Sequence, residues 1–154
     1  MSEIEKRFLT WEEFGTLSRK LAERLEVTNR AFDQIIALSR GGLPLGVAMS
    51  HRFSAPLKVV SIKSYNDKTH KQGRFVCDLS SADIQQWKGN VLICDDIADT
   101  GKTMNYLMSV IEGAESDLTF CTVATLFYKE KSLVIPECYA ECAGDEWIVF
   151  PWEY

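Results

Sequence analysis

One run constrains this chain more than any other: Val91-Leu92-Ile93-Cys94-Asp95-Asp96-Ile97-Ala98-Asp99-Thr100-Gly101-Lys102-Thr103-Met104. Residues 91–94 are apolar without alternation, the pattern of a strand covered on both faces in a parallel sheet. Two adjacent carboxylates follow, at the strand end where open α/β sheets bind ligands. Asp99 to Thr103 then form a small polar turn into a helical pattern. Such a turn offers backbone amides and the positive end of a helix dipole to a phosphate. A phosphate cradle beside paired acids suits a sugar phosphate, whose phosphate takes the amides while the acids accept hydrogen bonds from two hydroxyls. Gly101-Lys102-Thr103 also ends like a Walker A motif, but that motif needs glycine where Asp96 stands. An ordinary strand and N-capped helix would explain Asp99 or Thr100 alone. It would not explain Asp95 and Asp96, whose like charges cost energy side by side.

The length of 154 residues predicts one domain with a full core. No apolar run of membrane-spanning length and no basic-then-apolar leader occurs, so a cytoplasmic protein is expected, with loose attachment to a membrane surface left open. Five cysteines, with no CxxC pair, predict reduced and mostly buried thiols, and Cys138 and Cys142 make a poor zinc site. The net charge of −5 argues against nucleic acid as a partner.

Along the chain, Thr10-Trp11-Glu12-Glu13 has the form of a capping box. Trp11, Phe14, Leu17, Leu21 and Leu25 at helical spacing predict a helix over about residues 11–26. Residues 33–39 read as a strand ending in Ser39-Arg40-Gly41-Gly42, and 43–52 as a helix with Pro44 in its first turn. Paired glycines let backbone approach a ligand closely. Residues 57–63 read as a strand, Asn66 to Arg74 as a polar segment, and 75–90 as a strand return plus a short helical turn near 81–87. Residues 102–113 predict a helix with Met104, Leu107, Met108 and Ile111 inward. Residues 119–128 predict another strand, ending at Phe127-Tyr128-Lys129. His51 reads as a packed or surface residue.

The 91–104 run resembles the signature of the type I phosphoribosyltransferases, which bind phosphoribosyl pyrophosphate (PRPP). The tail Asp145-Glu146-Trp147-Ile148-Val149-Phe150-Pro151-Trp152-Glu153 resembles that of the bacterial xanthine-guanine (6-oxopurine) members. The resemblance covers nearly the whole chain. It implies a three-layer α/β fold, a mostly parallel central sheet flanked by helices, with a small hood formed mainly by about residues 129–154. It implies a purine salvage enzyme that transfers phosphoribosyl from PRPP to N9 of guanine, xanthine or hypoxanthine.

In that reading Asp95 and Asp96 hold the ribose hydroxyls, Asp99 is the general base, and Thr100, Gly101, Lys102 and Thr103 hold the 5′-phosphate. Ser39, Arg40, Gly41 and Gly42 form the pyrophosphate loop, with a cis peptide expected at Arg40–Gly41. Ser64 and Tyr65 begin a mobile loop that carries Lys71 to the pyrophosphate. Lys129 would bond the 6-oxo group and Trp147 would stack on the purine, while backbone groups of Trp147 and Ile148 read its two-position. Trp152 reads as a core or interface anchor. Mg²⁺ is the implied cofactor, held mainly by PRPP and water with a weak contribution from Asp96, and a homodimer or tetramer is the implied assembly. Val149 departs from an acid found in some members, which leaves the ranking of purines open. Transfer to another base, or a PRPP-binding regulator on the same fold, are the alternative readings.

Overall fold

A computed structural model describes residues 2–65 and 74–154. Thr10 caps helix α1 (Trp11–Glu26) through the expected capping box, its hydroxyl accepting from the Glu13 amide while the Glu13 carboxylate accepts from the Thr10 amide. The other helices are α2 (Leu43–Phe53), the five-residue α3 (Ser81–Gln85) and α4 (Lys102–Gly113). Among the described residues, no helix is long and apolar enough to cross a membrane.

Six strands make the main sheet: β2 (Gln34–Ser39), β3 (Leu57–Tyr65), β4 (Arg74–Cys77), β5 (Lys88–Ala98), β6 (Asp117–Tyr128) and β7 (Cys138–Cys142), in the spatial order β4-β3-β2-β5-β6-β7. All neighbours run parallel except β3 and β4. The central strand β5 is buried from Val91 to Cys94, as its unbroken apolar run requires. Its side chains alternate between two cores. Leu92 and Cys94 join Ile35, Leu126, the α1 leucines 17, 21 and 25, and Leu45 and Met49 of α2. Val91 and Ile93 face the other way, onto Met104, Leu107 and Ile111 of α4, with Ile84 and Trp87 beside them. Helices therefore cover both faces, the expected three layers.

Two short strands, β1 (Lys6–Phe8) and β8 (Trp147–Val149), lie outside this sheet and pair parallel with each other. The hood is thus stitched from both ends of the chain, whereas residues 138–142 of the segment assigned to it extend the main sheet. Strands β1, β7 and β8 have no counterpart in the sequence reading. Three residues carry too little periodicity for β1 to be seen, and Cys138-Tyr139-Ala140-Glu141-Cys142 alternates only weakly. The expectation of mostly buried thiols needs correction: Cys94 alone is fully buried, Cys142 is exposed, and the other three are half-buried at the sheet margins.

Candidate active site

Strand order explains where a ligand sits. The chain leaves β2 through α2 toward β3 on one side, and leaves β5 through α4 toward β6 on the other. Adjacent strands whose connections diverge leave a crevice at their carboxyl ends. The Ser39–Gly42 and Asp95–Thr103 segments are brought together there. A cleft of about 750 Å³ opens between Arg40, Gly41, Leu43, Pro44, Asp96, Trp152 and Glu153.

Asp95 and Asp96 are oriented by the chain itself. The Asp96 amide donates to Asp95 Oδ1 at 2.9 Å, and the Ile97 amide donates to Asp96 Oδ1 at 2.8 Å. Removal from water raises the proton affinity of both carboxyls, and for Asp95 the neighbouring Asp96 charge adds to it. Such a pair is costly in the bare protein and is relieved by ligand hydroxyls or a cation. A Cβ on Gly41 would collide with the Asp96 carboxylate, so the two loops meet at a distance that only glycine permits.

The cis peptide lies at Ser39–Arg40, a correction to the expected Arg40–Gly41. The Gly42 amide donates to the Leu38 carbonyl at 2.8 Å and the Leu43 amide to the Arg40 carbonyl at 3.0 Å, which closes the turn into α2.

The Thr100–Thr103 turn wraps a small hollow of about 90 Å³, also lined by Asp95, Ala98 and Val134. Gly101 sits at φ 76°, in the left-handed region, and caps α4. Asp99 therefore does not cap the helix. Its Oδ1 instead lies 3.8 Å from the Lys129 ammonium and 3.1 Å from that of Lys131. Lys129 is a buried lysine, 5 % exposed, whose Nζ donates to the Glu146 carbonyl at 2.9 Å. This contact ties the end of β6 to the tail. Sequence alone does not single out Lys131, because an alternating Lys-Glu-Lys run in a loop looks like any solvated surface.

In the hood, Trp147 is 53 % exposed and available for stacking, while Ile148 is buried. The Trp147 amide donates to the Glu5 carbonyl at 2.8 Å. That corrects part of the sequence reading: strand pairing with the amino terminus occupies this amide, so it is not free to read a ligand. Trp152 behaves as the packed anchor expected, stacked on Phe150 at 4.8 Å and edge-on to Phe14 at 5.5 Å. Ser64 and Tyr65 end β3 at the surface, and Lys71 lies outside the described residues. His51 is exposed on α2, as expected.

Similar proteins share this architecture. A model of the phosphoribosyl transferase domain matches residues 5–154. The xanthine-guanine phosphoribosyltransferase of Cereibacter sphaeroides is 29% identical over 155 aligned residues, covering 97% of this chain and 88% of that protein. The crystal structure of a purine phosphoribosyltransferase from Pyrococcus horikoshii superposes with a TM-score of 0.80 at 32% identity, covering 97% and 95% of the two chains. The xanthine-guanine-hypoxanthine phosphoribosyltransferase of Helicobacter pylori shares the fold, with a TM-score of 0.83 at 22% identity over 97% of this chain and 94% of that one. The acid pair, the loop at the helix start and a domain match spanning nearly every residue lead to one conclusion: the chain belongs to the phosphoribosyl transferase family.

Proposed function

We propose that this protein is a cytoplasmic purine salvage enzyme, transferring phosphoribosyl from PRPP to N9 of a 6-oxopurine and releasing the nucleoside 5′-monophosphate and pyrophosphate. One observation carries the choice of base class: the buried Lys129 ammonium stands between Asp99 and the tail carbonyl of Glu146. A buried cation offers only donors, so it favours a carbonyl oxygen on the ring over the amino group of adenine.

Asp95 and Asp96 accept hydrogen bonds from the ribose hydroxyls, and the Thr100–Thr103 amides and hydroxyls hold the 5′-phosphate. Asp99 takes the proton from purine N7 as N9 bonds to the sugar and the pyrophosphate oxygen leaves with its electron pair. Ser39, Arg40, Gly41 and Gly42 face the departing pyrophosphate. Trp147 stacks on the base, and Ile148, next along β8, turns its backbone away from β1.

The residues fit a loosely held Mg²⁺. Among the described residues, no cluster of three or more His, Cys, Asp or Glu side chains is placed to hold a metal alone. Asp96, which lines the cleft beside Arg40 and Gly41, offers the carboxylate that such an ion would combine with substrate oxygens and water. When bound, the ion supplies charge neutralisation on the pyrophosphate. A homo-oligomer completes the reading, with the exposed Phe8, Trp11 and Tyr154 as aromatic surface for its contacts.

The test is PRPP-dependent nucleotide formation with guanine, xanthine, hypoxanthine, adenine and uracil side by side. Turnover of the 6-oxopurines above the other two is expected. Preference for adenine or uracil, or binding of PRPP without turnover, would overturn the reading.

A further inference from the structure

Asp99 is gripped asymmetrically. Its Oδ1 is sealed from solvent and lacks a well-directed hydrogen bond, yet faces Lys131 Nζ at 3.1 Å and Lys129 Nζ at 3.8 Å. The side chain as a whole keeps 34% exposure, so what remains accessible lies away from Oδ1. Lys129 Nζ also donates to the Glu146 carbonyl at 2.9 Å, and Lys131 is the nearer of the two cations to Asp99.

The backbone delivers Lys131 to this place. The Lys129 amide donates to the Ala98 carbonyl at 2.9 Å, and the Leu133 amide donates to the Thr100 carbonyl at 2.8 Å, so residues 129–133 strap across 98–100. The Ser132 amide closes a turn onto the Lys129 carbonyl at 2.9 Å. A Cβ on Gly101 would collide with Ser132 and the Leu133 amide, so the strap lies tight on the phosphate turn.

We propose that Lys131 is a positioning residue: it holds Asp99 Oδ1 and thereby turns the other carboxylate oxygen toward the purine N7–H. This rests on the reading of Asp99 as general base. The terminal torsion of an aspartate is broad and roughly two-fold, so a carboxylate without a charge on one oxygen samples many orientations. A base must be aligned with the proton that it takes, and orientation is where such a contact acts. Lys131 is 58% exposed on its side chain, so its ion pair adds little to stability. Its effect belongs in turnover.

The experiment is steady-state kinetics with guanine and PRPP on Lys131→Met, Lys131→Arg, Asp99→Asn and the double variant Asp99→Asn/Lys131→Met, each checked for melting temperature. Lys131→Met is expected to lower kcat about fivefold, the scale of one exposed ion pair, with unchanged KM for PRPP and unchanged melting. Lys131→Arg should recover most of the loss. In the Asp99→Asn background, removing Lys131 should have no further effect. The same fivefold loss in that background would mean that Lys131 touches substrate itself, and would overturn the proposal. Unchanged turnover in Lys131→Met would overturn it too. Parental turnover in Asp99→Asn alone is a different failure: it removes the base assignment, and the positioning role with it.

Discussion

The two halves of the crevice are built in opposite ways. The acid pair and phosphate turn come from consecutive residues on one strand, one turn and one helix start, 95–103, seated on a strand buried from Val91 to Cys94. The proposed purine side gathers Lys129 from the end of β6, the Glu146 carbonyl from the tail, and Trp147 from a strand that exists only because residues 6–8 pair with it. Arg7 reinforces this assembly, bonded to Glu141 at 2.6 Å with its guanidinium 5.3 Å from the centre of the Phe127 ring. A contiguous site needs little tertiary agreement once its strand is placed. An assembled site depends on long-range contacts and can change its ligand by changing any one of them. This contrast matches the proposed division of labour, with the reaction on residues 95–103 and the choice of base on Lys129 and the tail.

That division breaks most readily at Asp99. Asp99→Asn should lower kcat by about a hundredfold or more, the scale of a lost general base, while the KM for PRPP changes little. Equal losses in both constants would make Asp99 a binding residue and blur the comparison. Next in size, Trp147→Ala should raise the KM for purine about tenfold to a hundredfold, the range for losing one stacked base, and leave the KM for PRPP alone. Since Trp147 is exposed, little stability should be lost with it. A parallel rise in both KM values would mean that the two halves are not separable.

The smallest effect concerns stability. Folding raises the proton affinity of both Asp95 and Asp96, so the folded protein holds these protons more tightly than the unfolded chain. Stability from protonated carboxyls is therefore full below the ordinary carboxylate range and is lost as pH rises through the raised folded values. In the ligand-free protein at pH 7, Asp95→Asn should raise the melting temperature by about 2–4 °C, the shift for about 1 kcal/mol of relieved repulsion in a chain of this size. The gain should shrink as pH falls toward the ordinary carboxylate range, because the parent carboxyls take up protons on the way. A loss of stability at pH 7 would show that the pair is already compensated inside the fold.

The same contrast accounts for what could be read from the chain alone. Helix α1 was legible from its capping box and leucine spacing, and β5 from four apolar residues without alternation. The acid pair was legible because no structural need explains it. Strand β1 was not: three residues with one half-buried side chain bear no pattern, and their partner lies at the other end of the chain. The position of the cis peptide escaped for a similar reason, since Ser-Arg-Gly-Gly allows the reversal at more than one bond. Lys131 escaped because its partner is set by a backbone strap.

The sequence by itself determined the three-layer sheet and the acid pair with its turn at 95–103, because hydrophobic periodicity and a continuous motif act between near neighbours. Only the tertiary structure decided how β1 and β8 pair, that the Trp147 amide is spent on the Glu5 carbonyl, and which cations meet Asp99. Those outcomes follow from pairings between segments far apart in the chain, and no local preference encodes such a distance.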